Sequence, residues 1–174
     1  AEKALEQAKS KELRDAGELA KKLNELIERQ KEAQKGLEAH RTRGEAIDKA
    51  LAEMEKAIEE QKKAAAGTRQ AAQAPDKAKA APLQKEQKDA ADRAWQLGND
   101  LFHEKALTDE EKKKVLKPMV SASNFQDQAK AGLEENALEL ARADQDRAVR
   151  ELEAAREELK KLKASAEQQK PAEA

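Results

Sequence analysis

The chain has 174 residues, 41% of them charged and 2% aromatic, with no cysteine and a net charge of −1. Lack of thiols excludes disulfides, zinc–thiolate sites and thiol chemistry, and the even mixing of charge leaves no basic stripe for phosphate-driven nucleic-acid binding. The side chains that bury most area are nearly missing, which excludes a wide spherical core and matches the Ala/Glu/Lys/Leu richness of long helices.

In chain order, the first predicted element is a long helix over about 2–66, free of proline and interrupted only by Gly17, Gly36 and Gly44. Leu13, Ala16, Ala20, Leu23 and Ile27 follow the alternating three- and four-residue spacing of a coiled-coil seam. The pattern resumes at Ala33, Leu37, Ile47, Leu51, Met54, Ile58 and Ala65, and joining the halves predicts a slip of register near Gln30. Gln30, His40, Gly44 and Gln61 then fall on or beside the seam. An apolar stripe this long needs a partner.

Gly67 reads as a helix stop, and 67–81, which holds Pro75, reads as a connection. Pro82 suits the first turn of a second helix, about 82–104, with Leu83, Ala90, Ala94, Leu97 and Leu101 on one face. Thr108 and Glu111 form a capping-box pattern that opens a short helix, about 109–117, ended by Pro118. Ser121 or Ser123 caps the last long helix, about 123–168. Its seam runs Leu138, Ala141, Ala148, Leu152, Ala155, Leu159, Leu162 and Ala166, with Gln145 as a polar step. Residues 169–174 read as a flexible tail. The expected fold is all-α: one domain, 1–174, forming an elongated antiparallel bundle or coiled coil of three main helices. A short helix and a small aromatic-containing junction sit at one end.

Trp95, Phe102 and Phe125 are the only aromatic residues, apart from the two histidines, and all lie in one short stretch. Together with Leu97, Leu101, Leu107, Val115, Leu116, Met119 and Val120 they form the only dense group of large apolar residues. That group reads first as the packed core of the junction, where short helices cannot interlock through alanine layers. The functional reading makes Trp95, Phe102 and Phe125 an exposed contact for a partner, because tryptophan is a favoured interface anchor. No nucleophile motif, glycine-rich phosphate loop or helical zinc motif appears, and His40 and His103 stand far apart. The residues therefore predict no enzyme, catalytic group, cofactor or metal. No apolar run is long enough to span a membrane.

A cysteine-free chain rich in Ala and Glu and ending in "EQQKPAEA" resembles the insect-stage surface proteins of African trypanosomes, the glutamic acid/alanine-rich type. The stretch "GLEAHRTRGEAIDKALAEMEKAIEE" is similar to the first long helix of the related haptoglobin-haemoglobin receptor. The resemblance implies a non-enzymatic coat protein, a bundle of the variant-surface-glycoprotein-like group. Such a protein stands on the outer face of the plasma membrane on a glycolipid (GPI) anchor whose signal lies outside these residues. Its partners would be neighbouring copies, or a protein receptor or ligand met at the bundle end. The chain departs from many variant surface glycoproteins in having no cysteine and no N-glycosylation acceptor, and the resemblance carries over no functional residue. Two further readings fit the same helices: the receptor-binding coiled-coil hairpin of a secreted bacteriocin-type toxin, and a cytoplasmic or engineered helical spacer.

Overall fold

The structure is a computed structural model and describes residues 1–169. Apart from Gln169, the tail predicted over 169–174 lies outside the described residues. Every regular element among them is helical: α1 (Glu2–Gln73), a single 3-10 turn (Pro75–Lys77), α2 (Ala80–His103), α3 (Asp109–Glu134) and α4 (Leu138–Gln168). The described residues fall into two compact units, 1–41 and 42–169.

The first unit is a stretch of α1. Leu13, Leu23, Ile27 and Leu37 are exposed there, so the N-terminal half of the expected seam is solvated rather than buried. Traced back from the buried Ile47, Met54, Ile58, Gln61, Ala65 and Thr68, the heptad pattern passes through Leu37, Ala33, Gln30, Leu26, Leu23 and Leu19 without a break. The slip expected near Gln30 is not required. Leu19 and Leu26, rather than Ala20 and Ile27, continue the heptad.

The second unit is a four-helix bundle built from the C-terminal part of α1 with α2, α3 and α4. Its helices run up, down, up and down. At one end Arg43 of α1 meets Glu111 of α3, and Asp48 of α1 meets Lys163 near the end of α4. Towards the other end Gly67 of α1 faces Leu83 and Glu86 of α2. Each helix contributes a heptad seam. The buried positions are Leu83, Gln87, Ala90, Ala94, Leu97 and Leu101 on α2, and Val115, Met119, Ala122, Gln126, Ala129 and Leu133 on α3. On α4 the predicted seam is buried from Leu138 to Ala166, with Leu162 half-buried. Alanine at many of these positions lets the helices approach closely while each layer buries little area.

Five expectations about the elements are corrected. The helix stop at Gly67 does not occur: α1 runs on to Gln73, and the missing side chain instead admits α2. A Cβ at Gly67 would lie 2.8 Å from Glu86 Oε2 and 3.4 Å from Leu83 Cδ2. The connection expected over 67–81 is therefore confined to a few residues around Pro75. Pro118 does not end a short helix at 117 but lies inside α3, where burial of Val115, Met119 and Ala122 on the flanking turns offsets the lost backbone hydrogen bond. Ser121 and Ser123 consequently lie within α3 and cap nothing.

The long helix expected over 123–168 is two helices, so the bundle has four members and no short one. The break is a left-handed C-cap. Asn136 has φ of 56°, Ala137 N donates to Gly132 O at 2.7 Å, and Asn136 N donates to Leu133 O at 3.2 Å. These are the two hydrogen bonds of a Schellman motif, with asparagine in the place usually held by glycine. Gly132 also lets α4 approach, since a Cβ there would lie 3.1 Å from the Ala141 Cβ. At the other turn the expected capping box is present: Glu111 N donates to Thr108 Oγ1 at 3.2 Å and Thr108 N donates to Glu111 Oε1 at 3.1 Å.

Across the middle of the bundle lies a layer of amides, one from each helix. Gln61, Gln87, Gln126 and Gln145 are all buried. Gln61 Nε2 donates to Gln87 Oε1 at 3.0 Å, Gln126 Nε2 to Gln61 Oε1 at 2.9 Å, and Gln145 Nε2 to Gln87 Oε1 at 3.0 Å. Among the described residues, Gln145 Oε1 accepts no hydrogen bond. A buried amide costs stability unless it meets its partners, so this layer pairs correctly in one helix register only.

Candidate functional site

The seams dictate where large apolar residues are surplus. Trp95, Phe102, Leu116 and Val120 each sit one residue past a seam position: Ala94, Leu101, Val115 and Met119. That phase turns them away from the bundle axis and onto the line where α2 and α3 meet. Trp95 is 65% exposed, Phe102 63% and Val120 61%. The expectation that these residues form the packed core of a junction is therefore overturned for Trp95, Phe102 and Val120. Leu97, Leu101, Leu107, Val115 and Met119 do belong to the main core, with Leu116 packed against it. Nor is there a junction of short helices, because the group lies along the sides of two full-length helices.

Phe125, grouped with Trp95 and Phe102 from the sequence, takes another place. It is half-buried, with the Arg147 guanidinium of α4 lying 5.7 Å from its ring centroid. A cation over an aromatic face at that distance is attracted by the ring quadrupole, which makes Phe125 a clip between α3 and α4.

Between α2 and α3 the surplus residues wall a cavity of about 400 Å³. Trp95 and Phe102, two helical turns apart, stand on the α2 side, and Leu116 and Val120 on the α3 side. Gly98 lies between the two rings and leaves the groove open, since a Cβ there would meet only Met119 Cε at 3.7 Å. The polar groups of the lining are Asn99, Ser123, Asn124 and the glutamine-layer residue Gln126, and no lining residue is charged. Phe102 is held from behind. The His103 ring meets it edge-on with centroids 5.1 Å apart, and Lys112 Nζ donates to its carbonyl oxygen at 3.0 Å. An apolar pocket with a few convergent neutral polar groups is the usual form of a small-ligand site.

A larger cleft of about 640 Å³ between α1 and α2 has a different character. Its walls carry Glu53, Glu60, Asp89, Asp92 and Asp100, and Arg93 lies within ion-pair distance of both Glu53 and Glu60, at 3.4 and 2.8 Å. Glu53, Glu60, Asp89 and Asp92 pair with Lys56, Arg93, Lys85 and Lys88, while Asp100 accepts from the Gln96 amide. Among the described residues no group of three His, Cys, Asp or Glu side chains is placed to hold a metal ion. Among the described residues, too, no helix is long and apolar enough to cross a membrane.

Compared with known proteins, the chain matches no family model, no curated protein and no solved structure.

Proposed function

We propose that this chain is a non-catalytic helical-bundle protein whose working surface is the groove between α2 and α3. The observation that carries the reading is the exposure of Trp95, the only tryptophan in the chain, beside Phe102 and Val120, while a complete heptad core closes without them. Burying any of these side chains is favourable by about 1.5–3 kcal/mol, so three of them left in water on one groove are a binding surface at rest. Quenching of Trp95 by iodide tests it. Emission near that of free indole with full access to the quencher is expected, and a blue-shifted, shielded Trp95 overturns the reading.

Display of the bundle outside a cell, as a coat component on a lipid anchor, is the setting we propose for that surface. Its support is the resemblance in composition and register to the glutamic acid/alanine-rich surface proteins. The mixed charge of the helix faces suits close side-by-side packing of copies. Antibody raised against the chain should label intact, unpermeabilised cells of its source, and labelling only after permeabilisation refutes this setting.

A further inference from the structure

We infer that the α2/α3 groove is a site for a neutral amphipathic small molecule, with an apolar ring or chain body and one uncharged hydrogen-bonding end. The inference rests on the reading of the groove as the working surface and adds the chemistry of its occupant.

Size separates a small molecule from a protein partner. A stable protein interface buries roughly 800 Å² on each side. The apolar patch here is three exposed side chains long, and both flanks are charged: Lys88 pairs with Asp92 on α2, and Lys113 and Lys117 are exposed on α3. An open groove of about 400 Å³ instead lies within the size range of small-molecule sites.

Charge decides the class. No lining residue is ionisable, so a charged group placed inside the groove would lose its hydration without gaining a counter-charge. The groove does offer carboxamides: among the described residues the Asn99 and Asn124 side chains have no hydrogen-bond partner and are free to bond a ligand. An amide presents both a donor and an acceptor, which suits a hydroxyl, amide or ring N–H end group. The aromatic walls, Trp95 and Phe102, supply flat apolar area at little entropic cost. Gly98 is the element that keeps the groove hollow. Any side chain there beyond a methyl group would occupy the ligand's place.

The test is titration of the whole chain with N-phenyl-1-naphthylamine, a neutral aromatic probe with one N–H group, read by probe emission and by energy transfer from Trp95. One saturable site per chain in the micromolar range is expected. Gly98→Leu fills the groove while favouring the helix, and should leave helix content unchanged and weaken binding at least ten-fold. Asn124→Leu should weaken the amine probe several-fold while sparing 1-phenylnaphthalene, which lacks the N–H. Absence of saturation, or binding that Gly98→Leu leaves intact, overturns the proposal. So does a dimer that sedimentation detects and Val120→Asp abolishes, since the patch would then belong to a second copy. If Trp95 is freely quenched by iodide but the probe does not bind, the ligand class fails alone. A shielded Trp95 in the free protein removes the groove reading itself.

Discussion

Arg43 on α1 and Glu111 on α3 form a two-pronged ion pair at the end of the bundle where α2 turns into α3. Arg43 Nη1 donates to Glu111 Oε1 at 2.8 Å and Nη2 donates to Oε2, while Nη1 also reaches Ala106 O at 3.2 Å. One side chain thus ties the long helix to the α2–α3 turn and to the helix that follows. The Arg43 guanidinium, aided by the hydrogen bonds from Thr108, holds the Glu111 carboxyl at about 2, well below the usual carboxylate range. The folded pKa is the lower one. The stabilisation is therefore complete above about 4.5, the ordinary value, and is lost as pH falls from there towards about 2. Arg43→Met should lower stability at neutral pH by about 1–2 kcal/mol, allowing for solvent screening, and should flatten the fall in stability between pH 5 and 2. Chemical denaturation at a series of pH values reads both effects, and a variant that keeps the wild-type acid slope refutes the assignment.

Trp95→Ala is expected to be a mild change. The ring is mostly in water, so the loss should stay within about 1 kcal/mol, against the 3–5 kcal/mol of a core tryptophan. A melting temperature lowered by many degrees would place Trp95 in the core after all.

The amide layer should respond asymmetrically. Replacing Gln87 alone by Leu leaves Gln61 Nε2 and Gln145 Nε2 without their acceptor and should cost about 2–4 kcal/mol. Replacing Gln61, Gln87, Gln126 and Gln145 together by Leu removes every unmet amide, and the melting temperature should rise. The fourfold variant should also lose its single register, seen as broadened or doubled amide resonances. A fourfold variant with one sharp set of resonances would show that the layer does not choose the register.

Helix α3 carries a removable strain. Pro118 supplies no backbone donor inside a helix that continues to Glu134, so Pro118→Ala should stabilise the bundle by about 1–3 kcal/mol. A thermal melt reads this directly, and an unchanged or lower midpoint contradicts it.

The α3–α4 turn depends on a residue that tolerates a positive φ. Asn136→Ala should cost about 1 kcal/mol, while Asn136→Gly should be neutral or slightly stabilising. If both variants melt alike, the left-handed cap is not what breaks the helix.

Much of this architecture is written in the heptads. The α4 seam from Leu138 to Ala166, the polar step at Gln145 and the Thr108–Glu111 capping box are all found where periodicity and capping patterns put them. What composition hides is phase. Trp95 and Phe102 read as core when only size is considered, yet each lies one residue past a seam of Leu83, Gln87, Ala90, Ala94, Leu97 and Leu101, and that offset alone points them outward. The same seam marks Gln87 as a buried partner for Gln61, a position that a pattern of apolar residues alone does not reveal. Pro118 and Gly67 are strong local stop signals, overridden because both flanking turns bury side chains in the bundle. Asn136 ends a helix with a weaker local signal than either, because two backbone hydrogen bonds close around it. Local propensity decides helix ends only where packing is indifferent.

The glutamines and the ion pair answer acid in different ways. Amides do not titrate in the range where proteins fold, so the glutamine layer itself is blind to pH, and the titratable pairs near it, such as Arg93 with Glu60, lie on the outer faces of the helices. The Arg43–Glu111 clasp does titrate, and it sits at one end only. Acidification should therefore act with a direction, freeing the α2–α3 turn first and working inward until it meets the uncharged amide girdle. Amide hydrogen exchange near pH 3 would show this as a gradient of protection, lowest around residues 104–112 and highest beside Gln61 and Gln126. The chain would then carry a built-in order of opening, set by where it spends charge and where it uses neutral polarity.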